Sequence, residues 1–483
     1  MKVTCSSPTT AIVSGPPTGL PRRVLSCAGG HRGEPCVRSR GEPCVRSLGG
    51  LCFGSGGESG FAASRESGVA AGDVSGATVS RGSGGAVRRE FDAAGDRAAV
   101  ERSAESVGVD RRGGPVGVRP ADRHTADVPA ADPARAATEP SGSVDHQRLR
   151  HHGDVDARPG MVDFAVNVQG TAPPEWLRQR LAGRLEELGR YPDSGEESAT
   201  RAAVAARHGR RAEEVLLLAG AAEGFAMLPR LGARRAAVIH PSFTEPELAL
   251  REAGVPVTRV VLEPPYTLDA GLVPEQADLV VVGNPTNPTS VLHPAEALLA
   301  LRRPGRIVVV DEAFADAVPG EPETLSGIDL PDVLVLRSLT KTWALAGLRC
   351  GYALGAPQVL ARLNQGRPHW PLGSLQLEAI AATSAPAAVV ETRRKAEVIA
   401  ADRAAMIPRL RTLGIDVHEP AAGPFLLIRV PDAELLRKRL ADKGIAVRRG
   451  DTFPGLAAGF LRVAVRPPAE VDRLVAAIED VGL

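Results

Sequence analysis

Three apolar runs of the sequence are each followed by a polar side chain that can do chemistry. Asn287 comes shortly after the run LVVVG, Asp311 directly after IVVV, and Lys341 shortly after VLVL. Runs without polar alternation are typical of strands covered on both faces in a parallel or mixed α/β sheet. Ligands of open α/β sheets bind beyond the carboxyl ends of the strands. We therefore expect an amide, a carboxylate and an amine to meet at one site.

These side chains match what pyridoxal phosphate requires of a protein. Lys341 can hold the cofactor aldehyde and transfer protons, Asp311 can keep the pyridine nitrogen protonated, and Asn287 can donate to the ring oxygen. The phosphate needs several donors, which the third segment supplies as two hydroxyls and a guanidinium: Ser338, Thr340 and Arg349. A lone lysine or aspartate is more often a solvated or turn residue. Their order at three successive strand ends favours the cofactor site.

The elements that must position these residues can be read from the rest of the pattern. AAVIH and CGYALG predict further strands of the same sheet, and TEPELALREAG and HPAEALLALRR predict helices that cross between strands. Towards the C-terminus, a long helix over residues 388–414 is followed by the apolar runs PFLLIRV, IAVRRG and FLRVAV and by two more helices. This change of order indicates a second, smaller α+β domain.

Three motifs, NPTNPTS, DEAF and SLTKTWALAGLRCGY, resemble the signature of fold-type I pyridoxal-phosphate enzymes. Within that group they are most similar to class I/II aminotransferases of the histidinol-phosphate aminotransferase branch. The resemblance implies an α/β fold with a mixed, mostly parallel sheet in a large domain and a smaller α+β C-terminal domain. We expect an N-terminal arm at 146–194, the large cofactor-binding domain at 195–372 and the small domain at 373–483.

The resemblance also implies further cofactor residues. LLAGAAEGF resembles the loop whose backbone N–H groups receive the cofactor phosphate at a helix start, which implies Gly220, Ala221 and Ala222. HPSFTEPE resembles the segment whose aromatic ring stacks on the cofactor, which implies Phe243. RYPD resembles the loop whose tyrosine reaches the phosphate of a neighbouring subunit. It implies a role for Tyr191 and a homodimer with shared active sites.

Residues that bind the substrate follow from two more resemblances. FLRVAVR is similar to the small-domain strand that carries the arginine for the substrate carboxylate, which implies Arg462. HHGDVDA before DFAVNVQG resembles the N-terminal stretch of threonine-phosphate decarboxylases of cobalamin biosynthesis. For the substrate phosphate this implies His152, Arg448 and Arg449, and near the carboxylate it implies Asn167. The less favoured alternative is that the two adjacent arginines are a solvated basic pair at a strand end.

Two positions depart from the resembled pattern. Phe314 of DEAF stands where many relatives have a tyrosine that donates to the ring oxygen, so that bond is lost or falls to Asn287. Ser290 of NPTS stands where glycine is usual, a difference that we expect to alter only the turn. Neither departure removes the chemistry of Lys341.

The reaction depends on which bond of the substrate is broken. Loss of the Cα proton leads to transamination, and loss of the carboxylate leads to decarboxylation. The N-terminal resemblance favours a decarboxylase acting on a small phosphorylated amino acid, by resemblance O-phospho-L-threonine, in cobalamin biosynthesis. The alternative is an aminotransferase that uses histidinol phosphate with 2-oxoglutarate or glutamate. A non-enzymatic scaffold is disfavoured because the candidate catalytic residues Lys341 and Asp311 are intact.

The composition limits the kinds of partner that the protein is expected to bind. The 483 residues carry a formal charge of +1, which gives no general attraction to nucleic acid or to an anionic membrane. No apolar run approaches the roughly 20 residues that span a bilayer. A small molecule is therefore the expected partner. After residue 150 the sequence has one cysteine, Cys350, which fits a reducing cytoplasm.

The first 145 residues differ from the rest. All three Trp and all three Tyr lie after residue 150, and the early segment is rich in Gly, Ser, Arg and Ala. Such a composition buries too little apolar surface to offset the chain entropy. We expect residues 1–145 to be disordered, or to be translated sequence upstream of the true start. Five of the six cysteines lie there, but their spacing fits no zinc pattern, so no metal is expected.

Overall fold

The computed structural model describes the segments Thr10–Ile12 and Arg23–Leu25 and residues 146–483. The first two segments are strands β1 and β2, which pair antiparallel. The rest of residues 1–145 lies outside the described residues, and the expectations for that segment stay predictions. Among the described residues, no helix combines the length and the apolar character that crossing a membrane requires.

From residue 146 onward, α-helices alternate with strands and short 3₁₀ turns. The α-helices are α1 (His146–Leu149), α2 (Glu175–Ala182), α3 (Ser194–His208), α4 (Ala221–Met227), α5 (Glu245–Glu252), α6 (Ala295–Leu299), α7 (Pro357–Asn364), α8 (Ser374–Ser384), α9 (Pro386–Thr412), α10 (Ala433–Asp442) and α11 (Pro468–Val481). The strands are β3 (Val162–Asp163), β4 (Val215–Leu218), β5 (Ala236–His240), β6 (Val257–Val261), β7 (Leu279–Gly283), β8 (Ile307–Asp311), β9 (Val333–Ser338), β10 (Gly351–Gly355), β11 (Asp416–Val417), β12 (Phe425–Arg429), β13 (Ile445–Ala446), β14 (Arg448–Arg449) and β15 (Phe460–Ala464).

Seven strands form the large sheet, in the order β4-β10-β9-β8-β7-β5-β6. The strands from β9 to β6 pair in parallel, and β10 runs antiparallel to both of its neighbours. In register, Gly283 of β7 lies opposite Asp311 of β8, and Asp311 lies opposite Leu336 of β9. The carboxyl ends of these three strands therefore lie side by side. This confirms the predicted fold class and the predicted convergence of three strand ends.

The apolar runs form central strands because both faces of the sheet are covered. In β8, Val308 and Val310 pack into one hydrophobic cluster and Val309 packs into the cluster on the other face. A run of apolar residues without alternation is what such a two-sided environment requires. Strand β6, VTRVV, alternates in burial because it is the edge of the sheet, and for that reason its pattern did not predict a buried strand.

The C-terminal part is built on a second, antiparallel sheet, in the order β11-β12-β15-β14. Its apolar face packs against α9, α10 and α11 through residues such as Leu426, Val463 and Leu474. The arm joins this part, because β3 pairs in parallel with β13 and Phe164 is buried in the same cluster. The predicted strand IAVRRG is divided into β13 and β14.

Helices α8 and α9 pack into different clusters. Leu377 and Ile380 of α8 are buried with the residues of the large sheet, whereas Ile399 and Met406 of α9 are buried with the small sheet. The change from one core to the other thus falls near the junction of these two helices. The predicted domain limits at 194/195 and 372/373 stay predictions.

Gly351 supports a first prediction, on stability. An added Cβ there would lie 2.7 Å from the Arg337 carbonyl oxygen and 3.0 Å from the Ala221 nitrogen, so β9 or α4 would have to shift. Gly351→Ala should lower the free energy of unfolding by about 1–3 kcal/mol. Gly189→Ala is the matched control, because Gly189 is exposed and its Cβ would meet no atom within 4 Å. Urea unfolding followed by circular dichroism measures both. Equal midpoints for the two variants would contradict the packing described.

Candidate functional site

The ends of β7, β8 and β9 open into a cavity of about 350 Å³, which the arm and the small domain close from the opposite side. Most of the predicted site residues line it: Lys341, Asp311, Ala221, Ala222, Phe243, Asn287, Ser338, Thr340, Arg349, Arg462, Arg448, Asn167 and His152. A volume of this size is typical of small-molecule sites. The structure therefore brings together residues that are up to about 300 positions apart in the sequence.

Lys341 carries the amine of the site. Its burial lowers the pKa of the amine to about 8, and the positive charges of Arg462 and Arg349 lower it in the same direction. A lysine with this pKa holds a sizeable neutral fraction near neutral pH, which is the form that can attack a carbonyl or accept a proton. The backbone oxygen of Lys341 accepts a hydrogen bond from the Gln169 N–H at 2.9 Å, which ties the arm to this segment.

Asp311 ends β8 and presents its carboxyl group to the cavity. Burial raises the pKa of this carboxyl to about 7, and the charge of Glu312 raises it in the same direction. The Ala313 N–H, which donates to Oδ1 at 3.0 Å, and the charge of Lys341 lower the pKa. A cationic ring nitrogen placed beside this carboxyl would favour its ionised form. Its position and burial fit a pyridine nitrogen.

Hydroxyl and guanidinium donors gather at one end of the cavity. The hydroxyls of Ser338 and Thr340 lie 2.7 Å apart. Gly220 precedes α4 with a φ of +81°, and a Cβ on it would lie 3.0 Å from the Arg349 guanidinium, so only glycine allows this approach. The Arg349 guanidinium in turn donates to the Ala346 carbonyl at 3.2 Å. These donors form a cluster that fits a phosphate group.

Two further residues predicted to contact the cofactor ring are Phe243 and Asn287. Phe243 lies with its ring centre 5.4 Å from that of His152 and 5.8 Å from that of Phe225. The Asn287 amide oxygen accepts a hydrogen bond from Arg462 at 2.8 Å. Because a guanidinium only donates, the amide NH₂ of Asn287 is the end left to donate to a ligand. The donor set thus fits pyridoxal phosphate at its aldehyde, ring and phosphate.

Arg448 and Arg462 lie opposite each other on β14 and β15 and both are buried. Arg462 donates to Asn287 and to the Ala165 carbonyl, and Arg448 donates to the His151 carbonyl and to the Thr452 hydroxyl, both at 2.7 Å. Within residues 146–483, Arg462 Nε and Arg448 Nη1 find no hydrogen-bond partner.

Among the described residues, nearby carboxylates neutralise the charge of this arginine pair only in part. Burial lowers the pKa of Arg462 to about 9 and that of Arg448 to about 10, and each is lowered further by a neighbouring arginine. The carboxylate recorded nearest to Arg448 is that of Asp156, 3.8 Å from Nη1. Buried guanidinium groups with unused N–H donors indicate a site for an anionic group of a ligand.

The arm supplies two more of the predicted residues. Asn167 is buried and its side-chain oxygen has no hydrogen-bond partner in the described structure. His152 Nε2 lies 2.6 Å from a carboxylate oxygen of Glu245. Both residues line the cavity.

Three predicted residues do not line the cavity: Gly220, which precedes α4 beside Arg349, and Arg449 and Tyr191. Arg449 forms an ion pair with Asp451 at 2.7 Å instead, because neighbouring residues of a strand point to opposite faces. Tyr191 is 71% exposed and its ring stacks on Trp370 at 4.4 Å. Its predicted role concerns a second subunit and stays a prediction.

The structure also adds residues that the sequence analysis did not select. Gly153 lines the cavity, and a Cβ on it would lie 2.3 Å from the Ala165 carbonyl oxygen, so the arm can fold back on itself only with glycine there. In the sequence, the motif HHGD was the pattern that could have pointed to Gly153. Phe453 also lines the cavity and packs under the Arg448 guanidinium at 4.9 Å, but no pattern in the sequence marks it.

Comparisons with known proteins identify a family and relatives of this chain. Residues 159–478 match the family model described as aminotransferase class I and II. A histidinol-phosphate aminotransferase of Mycobacterium tuberculosis is 60% identical over 331 residues, which cover 68% of this chain and 90% of that protein. A threonine-phosphate decarboxylase of Salmonella typhimurium is 28% identical over 338 residues, covering 66% of this chain and 91% of that protein.

A solved structure shares the fold. The crystal structure of the histidinol-phosphate aminotransferase from Clostridium acetobutylicum superimposes with a TM-score of 0.61 at 22% identity. The superposition covers 66% of this chain and 98% of that one. At this identity the likeness supports the fold alone.

The lowered pKa of Lys341 leads to a second prediction. Since the neutral amine attacks the cofactor aldehyde, the rate at which cofactor-free protein takes up pyridoxal phosphate should rise with pH and reach half its maximum near pH 8. The visible absorbance of the bound cofactor, followed between about pH 6 and 10, measures this rate. Lys341→Ala should show no uptake band, and Lys395→Ala, outside the cavity, should behave as the unchanged protein. A half-maximum near pH 10.5, the ordinary lysine value, would contradict the electrostatics of the site.

Proposed function

The chain belongs to the aminotransferase class I and II family and is a pyridoxal-phosphate-dependent enzyme, and within this family we propose that it transfers an amino group between histidinol phosphate and 2-oxoglutarate. The observation that carries the proposal is the 60% identity to a protein named histidinol-phosphate aminotransferase. The identity to a threonine-phosphate decarboxylase is 28% over a similar length. The motif HHGD favoured decarboxylation, but the comparisons support the alternative, transamination, better.

The residues of the cavity can perform the transfer. When bound, pyridoxal phosphate supplies an electron-accepting ring conjugated to the substrate amine. Lys341 lies where its amine can take the proton from the substrate Cα and return it elsewhere, and its lowered pKa suits both directions near neutral pH. With the cofactor bound, the Asp311 carboxylate would hold a proton at the pyridine nitrogen and so keep the ring electron-accepting. Residues of the arm and of the small domain line the cavity, and with a ligand bound they would shield the reacting atoms from water.

The arginine pair can serve both substrates in turn. An aminotransferase binds its two substrates one after the other in the same cavity, a ping-pong order. Histidinol phosphate brings a phosphate, and 2-oxoglutarate brings two carboxylates. Arg448 and Arg462 each have an unused N–H, and both groups accept hydrogen bonds from a guanidinium. A site with two buried arginines can therefore bind the anionic groups of each substrate in turn.

One geometric observation favours a second candidate, decarboxylation of O-phospho-L-threonine in cobalamin biosynthesis. Arg448 and Arg462 lie directly opposite each other on adjacent strands, so two anionic groups bound by them would lie close together. A compact substrate with a carboxylate and a phosphate on a short carbon skeleton meets that condition. We keep this reaction as the runner-up.

Two assays on residues 146–483 and on the full chain decide between the candidates. The first measures glutamate formed from 2-oxoglutarate and histidinol phosphate, and the second measures carbon dioxide released from carboxyl-labelled O-phospho-L-threonine without a keto acid. We expect glutamate and no carbon dioxide, with Lys341→Ala inactive in both assays. Release of carbon dioxide without formation of glutamate would replace the proposal by the second candidate.

The arginines of β14 supply a matched pair of variants, because one lines the cavity and its neighbour does not. Arg448→Gln should lower kcat/KM for histidinol phosphate by about 10- to 100-fold, the effect of losing a charge-assisted hydrogen bond. Arg449→Gln removes the same charge from the outer face and should change kcat/KM less than about threefold.

Melting temperatures and the absorbance of bound cofactor separate loss of binding from loss of folding in this comparison. Both variants should keep the cofactor. Equal kinetic losses in the two variants would show that Arg448 does not contact the substrate.

A further inference from the structure

Ser290 connects the large domain to the small domain. It lies in the turn after β7 that also carries Asn287, and its side chain is fully buried. The Ser290 hydroxyl accepts a hydrogen bond from the Gly423 N–H at 2.8 Å, and the Ser290 carbonyl accepts one from the Ala422 N–H at 2.8 Å. Both donors belong to the loop that leads into β12 of the small sheet. Ser290 is thus bonded twice to the other domain.

The backbone of Ser290 lies in a conformation that favours glycine. Its φ is +66°, in the left-handed region that residues with a Cβ rarely adopt. For a residue that only completes a turn, glycine would be the better choice. The hydroxyl is therefore kept at a conformational cost, and the bond that it accepts from Gly423 is the interaction that glycine could not make.

The loop that Ser290 holds belongs firmly to the small domain. Arg403 of α9 donates to the carbonyls of Ala422 and Gly423, at 2.9 and 3.1 Å. The Val465 N–H, just after β15, donates to the Pro424 carbonyl at 2.9 Å. These bonds attach the loop to α9 and to β15, the strand that carries Arg462. A residue that contacts this loop is therefore in contact with the small domain.

A second contact between the same two pieces lies in the cavity. Asn287, three residues before Ser290, accepts the hydrogen bond from Arg462. Phe425, two residues after Gly423, packs edge to face on Phe314 at 4.9 Å and lies under the Arg462 guanidinium at 5.6 Å. The position of Arg462 over the site thus depends on how the turn and the loop are joined.

We propose that Ser290 is a positioning residue. Its hydrogen bonds to Ala422 and Gly423, which we call the latch, hold the small domain against the Asn287 turn and so place Arg462 for binding of the anionic substrate. The inference deepens the proposed function and rests on it for the role of Arg462. Ser290 contacts no reacting atom in this account. It acts through the loop at residues 421–424, β12 and Arg462.

Two variants separate a latch from a turn residue. Ser290→Gly removes the hydroxyl and relieves the left-handed φ, so a residue that served only the turn would give an equally stable or more stable protein with unchanged binding. Ser290→Ala removes the hydroxyl but keeps the Cβ. The latch predicts that both variants bind anions more weakly, although only Ser290→Ala should also melt at a lower temperature.

The measurements use the full chain loaded with pyridoxal phosphate. Hydrogen exchange of peptides covering residues 418–430 reports the Gly423 and Ala422 amides directly, and we expect faster exchange in both variants. The dissociation constant of maleate, an unreactive dicarboxylate, should rise about three- to tenfold, the effect of one lost hydrogen bond. KM for the substrate should rise by a similar factor, while kcat changes less.

The outcomes distinguish the inference from the proposed function. Unchanged exchange at 418–430 together with an unchanged maleate constant in Ser290→Gly would overturn the latch, whatever reaction the enzyme performs. Failure of the proposed function would show as absent amino transfer in the unchanged protein, and the exchange and maleate measurements would still decide the role of Ser290. Faster exchange with unchanged maleate binding would overturn the link to Arg462.

Discussion

The buried guanidinium of Arg462 joins the three parts of the chain that enclose the cavity. It extends from β15 of the small sheet, donates to Asn287 after β7 of the large sheet, and donates to the Ala165 carbonyl of the arm. Each of these bonds closes one side of the cavity around the Lys341 amine. Since the pKa of Lys341 is lowered in part by the charge of Arg462, the interaction that closes the site also prepares its amine for reaction. Architecture and chemistry depend on the same side chain.

The electrostatic state of the cavity follows from this closure. Lys341, Arg448 and Arg462 line the cavity together with Arg349, and burial lowers the pKa of the first three. Leaving such charges without anionic partners costs stability. Binding of a ligand with phosphate or carboxylate groups to the folded protein offsets this loss of stability. Within residues 146–483, the unused N–H groups of the two arginines are available to such a ligand.

Much of the fold and of the site could be predicted from the sequence, because apolar runs and their order define parallel strands and the polar residues after them. Asn287, Asp311 and Lys341 follow such runs, and the register of β7, β8 and β9 brings their ends together. Strand β6 could not be predicted in this way, since an edge strand alternates between buried and exposed residues.

Other features depend on contacts that a sequence does not display. Which of Arg448 and Arg449 faces the cavity is decided by the register of β14 against β15, and only Arg448 does. Ser290 was expected to alter only a turn, yet its hydroxyl bonds to Gly423, 133 residues away. The choice between transamination and decarboxylation rests on the orientation of the substrate. The short motif HHGD favoured decarboxylation, the reaction that the comparisons over about two thirds of the chain support less.

The central claim is that one cavity holds the cofactor at Lys341 and the anionic group of the substrate at Arg448 and Arg462. A crystal structure of the protein with pyridoxal phosphate and histidinol phosphate tests it most directly. We expect the cofactor ring beside Phe243, its nitrogen at Asp311 and its phosphate among Ser338, Thr340 and Arg349. We expect the substrate phosphate within hydrogen-bond distance of Arg448 or Arg462. A substrate phosphate bound outside the cavity, for example at Arg449, would contradict it.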